Sequence, residues 1–545
     1  MLRYIRIFAA IAVFSLLTLY FIDFSDELPN WMSALAKIQF FSALVSGYVG
    51  AVVFVILLTL LTGRLYCSTI CPLGVMQDLI AWCSKRLVRK KKYACSQAKT
   101  KTRWAFFVRF VVAFVCGCGS ICCLLEPYSI YGRTMFSVVA PVYETLNNML
   151  TWVCLNCGIV YFYYVDPTRL LAGTLMAMGL FAVIAYLSFR WGRTWCNTVC
   201  PIGTFLGLLS RMAIFKICFD KSKCSKCGLC STKCKAGCLD GKNQTIDYSR
   251  CVDCFNCLGA CRQKALYLGI SSSNSRKIET QDANQENANV NETKSESTVS
   301  APDPSKREFL GSLVTLAMLS TSVLAEENKE RASENKPADT AAGSSQSEPT
   351  KEPYDEKLER RKTAICPPGA KSQIHLKKHC TGCHLCVAAC PSHVLQPSFL
   401  EYGLSGMLMP LMRFEKGFCN FDCLLCGEVC PNGAIEPLTI EEKHLIQMGK
   451  VHFVRDRCIV YKDETNCGAC SEHCPTQAVT MVPYRGSLTI PEIHPEICVG
   501  CGGCESICPV RPDRAIFIEG NLVQVDAEPF KESKKETIKI DDFGF

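Results

Sequence analysis

Six runs of cysteine hold most of the reactive chemistry in this sequence. Two come early, Cys224-x2-Cys227-x2-Cys230-x3-Cys234 and Cys251-x2-Cys254-x2-Cys257-x3-Cys261. Four come late: Cys380, Cys383, Cys386, Cys390; Cys419, Cys423, Cys426, Cys430; Cys458, Cys467, Cys470, Cys474; and Cys498, Cys501, Cys504, Cys508. At this spacing three neighbouring thiolates cap one 4Fe-4S cube and the fourth reaches to a second cube. By that crossing rule one early cluster takes Cys224, Cys227, Cys230 and Cys261, and its partner takes Cys251, Cys254, Cys257 and Cys234. Each late run ends in Cys-Pro, at Pro391, Pro431, Pro475 and Pro509, whereas Lys235 and Arg262 follow the early runs. The second late run has one extra residue after its first cysteine, and the third has eight residues there. Six 4Fe-4S clusters are expected, with neighbouring and nested exchange of fourth ligands both open among the late runs.

Other metal chemistries fit less well. Zinc needs four ligands, and each run pairs its four with another complete set. Cys380-Thr381-Gly382-Cys383-His384 also matches a c-type haem attachment signature, but its thiolates are already placed for a cube and no second copy occurs. All 8 histidines fall between His375 and His494, so residues 1–270 hold no membrane haem on a histidine pair.

A further set of thiols lies in an internal repeat. GRLYCSTICPLG (Gly63 to Gly74) and GRTWCNTVCPIG (Gly192 to Gly203) match at Gly, Arg, an aromatic, Cys, Thr, Cys, Pro and Gly. Because the copies terminate alternate apolar segments, Cys67, Cys71, Cys196 and Cys200 emerge on the same membrane face. They suit an additional Fe-S centre or a pair of thiol redox couples; the plain alternative is that Cys-Pro ends a membrane helix twice. Cys116, Cys118, Cys122, Cys123, Cys154 and Cys157 gather toward the opposite face, where packing competes with disulfides or a metal site. Cys83, Cys95, Cys218, Cys238 and Cys366 have no spacing partner.

The elements that must position these residues follow from charge and hydropathy. With 545 residues and 39 cysteines, 24 of them in the six runs, the chain is multi-domain and is not a small disulfide scaffold. Residues 1–270 carry 29 Lys and Arg against 11 Asp and Glu, out of 59 and 50 in all, so a basic first part is followed by an acidic one. Basic residues among apolar stretches indicate a membrane protein and no nucleic-acid partner. Uncharged runs at Ile7–Ile22, Ile38–Gly63, about Trp104–Leu125 (interrupted by Arg109) and Leu170–Phe189 predict four spans. The basic loop from Lys85 to Arg103 predicts a cytoplasmic N-terminus and a cytoplasmic first ferredoxin. The aromatic stretch Met149–Val165 reads as an interfacial helix on the outer face.

The predicted architecture is therefore an α-helical membrane domain, with four spans plus a fifth, joined to α+β bacterial two-cluster ferredoxin domains. Its parts are a four-span domain at 1–215, a cytoplasmic ferredoxin at 216–270, a disordered linker at 271–307, a fifth span or export signal at 308–325, a second linker at 326–365, and a four-cluster polyferredoxin at 366–545.

On its Cys-x3-Cys-Pro repeats followed by a two-cluster ferredoxin, residues 1–270 resemble the NapH family of membrane quinol-oxidising proteins. From about Ser305 on, the Ser305-Lys306-Arg307-Glu308-Phe309-Leu310 approach and the four Cys-Pro-terminated runs resemble the NapG/MauM family of exported polyferredoxins. The resemblance implies electron transfer from menaquinol or ubiquinol, as a component of a quinol dehydrogenase, to a periplasmic reductase or small cytochrome. It also implies residence in a bacterial inner membrane, in contact with lipid, with the late clusters in the periplasm. The alternative is an accessory donor that assembles or reactivates a metalloenzyme.

Overall fold

The computed structural model describes residues 1–22, 30–88, 93, 95–158, 164–165, 171–270 and 361–529. The expected linker at 271–307, the fifth span at 308–325 and residues 326–360 of the second linker lie outside the described residues. Arg89–Lys92 of the basic loop lie outside them too.

Two helices, Leu2–Ile22 and Gly173–Trp191, are long and apolar enough to cross a bilayer; at about 1.5 Å per residue the first measures about 30 Å. The second and third apolar segments, expected as continuous spans, are each broken. Phe40–Val45 gives way to Val49–Thr62, and Thr100–Val115 to Gly119–Leu125. The breaks fall at Gly47 and Gly117, both at φ +72°. There the chain turns left-handed and residues beyond the glycine cap the preceding helix, Tyr48 N–H to Ala43 O and Cys118 N–H to Ala113 O, each at 2.8 Å. Hydropathy registers only that these stretches are apolar and misses the turn. Of the aromatic segment, Met149–Asn156 is the end of a longer helical stretch, and residues 159–163, with most of its rings, lie outside the described residues. That stretch starts at Pro127, where the Glu126 carboxylate caps the Tyr128 and Ser129 amides. It passes a π-helical turn at Met135–Val139 and ends at Asn156.

The Cys-Pro motifs start helices, against the plain alternative in which they end them. The apolar helices before them finish at Gly63 (φ +79°) and Gly192 (φ +77°). A short turn of helix then carries Cys67 or Cys196, and Pro72 or Pro201 opens the next helix, Pro72–Leu87 or Pro201–Leu209. Proline suits the first helical position because its missing N–H would have no intrahelical acceptor there.

The first ferredoxin is closed by two antiparallel ribbons, Phe215–Phe219 with Leu266–Ile270 and Leu239–Asp240 with Thr245–Ile246. The polyferredoxin has three more, Leu395–Pro397 with Pro410–Met412, Val479–Pro483 with Thr489–Ile493, and Ile446–Phe453 with Ile516–Asp526. Residues Met1–Ser271 and Glu359–Phe545 form one compact unit. The ferredoxin packs against one end of the helices, where Ile214 N–H meets Leu60 O at 2.9 Å and Arg193 N–H meets Lys235 O at 3.1 Å. The polyferredoxin packs against the other, with Gln373–His379 and Leu404–Gly406 on Gly119–Leu125.

Candidate metal centres

The loops around the cysteines share one backbone device. In four runs the residue before the second cysteine and the residue after it both have φ between 47° and 80°: Lys226 and Gly228, Asp253 and Phe255, Gly382 and His384, Gly500 and Gly502. These turns aim amides at sulfur. Gly382 N–H reaches Cys380 Sγ at 3.4 Å, and the amides of Asn256, Leu385 and Gly503 bond the sulfurs of Cys254, Cys383 and Cys501. Four of the eight positions are not glycine, and left-handed backbone there costs about 1–3 kcal/mol each. A loop that holds such strain to present N–H groups to sulfur fits a buried anionic cluster, whose properties those bonds tune.

The fourth cysteines decide which runs share clusters. Cys380, Cys383, Cys386 and Cys430 line one cavity with Pro410 and Ile435. Cys419, Cys423 and Cys426 gather instead with Cys390. A second cavity is lined by Cys458, Cys467, Cys470 and Cys508, and Cys498, Cys501 and Cys504 gather with Cys474. Neighbouring runs therefore exchange their fourth cysteines, first with second and third with fourth. In the early ferredoxin Cys251, Cys254 and Cys257 gather with Cys234. Cys230 lies with Cys224 and Cys227, and the loop after Cys261 returns to them through Ser225 N–H to Gln263 Oε1 at 3.1 Å. Among the described residues no three His, Cys, Asp or Glu side chains converge as a single metal ion requires. A cube, with iron at separate corners, needs its thiolates further apart.

Three of the deeply buried thiols are costly to ionise without metal. Burial pushes Cys383, Cys470 and Cys501 up to about 12, and neighbouring sulfurs push the same way. Such thiols hold protons until a metal displaces them, and iron fits this all-sulfur donor set.

The membrane repeats come together as a pseudo-symmetric pair. Cys67, Cys71, Cys196 and Cys200 are all buried, and Cys71 lies within electrostatic reach of the other three. Arg64 and Arg193, both fully buried, cross over: Arg64 Nη2 donates to Cys196 O at 3.3 Å and Arg193 Nη1 to Cys67 O at 2.7 Å. Arg193 is balanced by Asp78 at 2.8 Å. Arg64 donates to Asn197 Oδ1 and Ser249 O and reaches Cys67 Sγ at 3.9 Å. A buried cation facing four convergent thiols favours an anionic centre among them. Gln77 Nε2 and Gly203 N–H, each at 3.3 Å, bond Cys196 and Cys200.

Three features were not legible in the spacing. Cys238, without a spacing partner, is buried with its sulfur 3.6 Å from Cys234 Sγ and also bonds Cys251. Lys443, buried, donates to the Asn420 and Cys423 carbonyls beside the second late quartet. Cys123 packs against the first late run, Sγ to Cys380 O at 3.7 Å; it and Cys116, Cys118, Cys122, Cys154 and Cys157 are not joined in disulfides. The haem reading of Cys380–His384 meets a local obstacle, since His384 is buried with Nε2 bound to Leu408 O at 3.1 Å.

A family model described as a 4Fe-4S binding domain matches residues 44–92 and again 172–219, spanning both membrane repeats, and one described as a 4Fe-4S dicluster domain matches 465–511. The chain is 33% identical over 154 residues to the methylamine utilization ferredoxin-type protein MauM of Methylorubrum extorquens, covering 27% of this chain and 68% of that protein. It is 27% identical over 157 residues to the ferredoxin-type protein NapF of Escherichia coli K12, covering 29% and 87%. It is 30% identical over 151 residues to NapG of the same organism, covering 26% and 64%. No solved structure matches the chain.

Proposed function

We propose, from the premise that this chain belongs to the family of ferredoxin-type proteins that includes MauM, that it is a membrane-bound conductor carrying electrons from quinol to a periplasmic acceptor. Iron-sulfur electron transfer follows from the 4Fe-4S domains and the ferredoxin-type relatives. The finer reading is a four-span, NapH-like domain in the inner membrane, six 4Fe-4S clusters on the 24 cysteines of the runs, and a seventh centre on Cys67, Cys71, Cys196 and Cys200. Each bound cluster supplies one-electron redox chemistry without making or breaking a substrate bond.

The observation that carries this reading is the junction between the parts. The turn after Cys234 is pinned to the second membrane repeat by Arg193 N–H to Lys235 O and Asn197 Nδ2 to Ala236 O, both at 3.1 Å. The Arg193 side chain stands within electrostatic reach of both Cys196 and Cys254. The helix Leu2–Ile22 meets the repeat at its start, through Arg6 to Ser68 O and Asp78 at 3.2 Å. Near its end Phe21 packs on Gly132, where an added Cβ would overlap the Cys383 carbonyl. Fifteen residues at about 1.5 Å each put these levels about 22 Å apart along that helix. Residues of this chain thus line a continuous route from the early ferredoxin, past the membrane quartet, to the polyferredoxin.

The experiment is to mix the purified full chain anaerobically with a soluble menaquinol analogue and follow bleaching of the cluster absorbance. Reduction within the time of a respiratory turnover is expected. Clusters that stay oxidised under quinol yet bleach with dithionite would refute quinol as the donor.

A further inference from the structure

The four late quartets are not stacked in the order of the sequence. The first, Cys380, Cys383, Cys386 and Cys430, lies against the membrane helices: Cys123 Sγ meets Cys380 O at 3.7 Å, and His384 sets its ring edge-on to Phe136 at 5.7 Å. The second, Cys419, Cys423, Cys426 and Cys390, is locked to it by the exchanged fourth ligands, and Leu385–Ala388 packs on Leu425–Glu428. From the second quartet the chain contacts the last run before the third. Cys419 N–H donates to Cys501 O at 2.9 Å, and Arg514 Nη2 to Glu415 O at 2.9 Å. A Cβ on Gly502 would strike the Phe414 ring. The third run packs on the fourth: Ala469–Glu472 lies on Gly503–Ile507, and a Cβ on Gly503 would meet His473 O at 2.7 Å.

We propose that the late clusters form an unbranched wire in the order Cys380/383/386/430, Cys419/423/426/390, Cys498/501/504/474, Cys458/467/470/508, with the inlet on the membrane helices and the outlet at the quartet of the third run. This rests on the electron-transfer reading above. Each step moves one electron between adjacent clusters, the donor oxidised and the acceptor reduced by one charge with no proton or bond exchanged; a hydroquinone feeds the inlet and a one-electron acceptor protein drains the outlet. Because transfer rate falls steeply with distance, the spatial neighbours set the path. At the outlet Tyr461, one of the eight residues between Cys458 and Cys467, is exposed, and Arg455 lies between its ring and that of the half-buried Tyr484, 5.1 and 5.0 Å from their centroids. The acceptor approaches this side.

The test compares the full chain with Cys501→Ala and Cys470→Ala, which each remove one late cluster, by electron paramagnetic resonance after dithionite reduction. Each variant is expected to lose about four iron and four sulfide per chain. In the proposed order Cys501→Ala strands the outlet cluster without a reduced neighbour, so a narrow, uncoupled signal appears. Cys470→Ala leaves every remaining late cluster coupled, and no such signal appears. Cys498→Ala and Cys467→Ala remove the same two clusters from other corners and must repeat the pair of results; they replace any alanine variant that loses more than one cluster. A narrow signal after loss of the third-run quartet, as the sequence order requires, overturns the proposal, and so does a narrow signal in both classes or in neither. Absence of cluster iron from the unaltered chain would instead sink the underlying reading.

Discussion

Lys443 and Cys366 show how burial sets chemistry one residue at a time. Lys443 places a buried positive charge beside the Cys419/423/426/390 quartet, where it favours the more negative, reduced state of a cluster. At roughly 10 Å and an effective dielectric of about 20, a unit charge is worth about 1.7 kcal/mol, or about 70 mV for one electron. Lys443→Gln is expected to move one cluster potential to more negative values by that order, as read by redox titration, with no loss of iron. Cys366 belongs to no quartet. Burial pushes its thiol up to about 11, although the Tyr402 hydroxyl donates to it at 3.5 Å. At pH 8 about one thiol in a thousand is ionised, against roughly a quarter for a free cysteine. Alkylation of Cys366 by iodoacetamide, measured by peptide mass spectrometry, is expected to be at least a hundredfold slower in the folded chain than in urea, and to rise as pH approaches 11. Both features escaped the sequence because a lone Lys or Cys carries no spacing; the 24 cysteines of the runs stood out because their neighbours are local.

At the level of elements, glycine decides where the apolar helices stop and how tightly each repeat folds back on itself. Gly203 and Gly74 lie on the two helices opened by Cys-Pro, and a Cβ on either would overlap the carbonyl of Cys196 or Cys67. Gly50, on Val49–Thr62, has nothing within 4 Å of an added Cβ. Gly203→Ala is therefore expected to destabilise the repeat pair by about 1–3 kcal/mol through overpacking and to lower the temperature at which visible absorbance is lost. Gly50→Ala should leave that temperature unchanged or raise it, since alanine in a helix gains about 0.5–1 kcal/mol over glycine. The repeat itself was plain from matching residues in the sequence. That its halves clasp through crossed arginines was not, because Arg64 and Cys196 are 132 residues apart. The breaks at Gly47 and Gly117 had a signal in the glycines themselves, which a hydropathy average conceals.

Across the whole molecule, the two ferredoxin parts lie at opposite ends of the helices, and the proposed orientation makes them cytoplasmic and periplasmic. Cys95, in the basic loop, and Cys157, past Asn156, are both exposed, so they report on opposite faces. In intact spheroplasts a membrane-impermeant maleimide is expected to modify Cys157 and spare Cys95 until the membrane is permeabilised; modification of Cys95 alone would reverse the orientation. The sequence by itself determined the iron-sulfur chemistry, the grouping of 24 cysteines into six runs and the division into a basic, apolar first part and an acidic second part. Those properties rest on residues a few positions apart and on composition. Only the tertiary structure decided which runs exchange fourth ligands, which quartet touches the membrane helices and which stands last. Contacts such as Cys419 to Cys501 and Cys123 to Cys380 join residues far apart in the chain, and it is the packing of whole elements, not spacing, that brings such residues together.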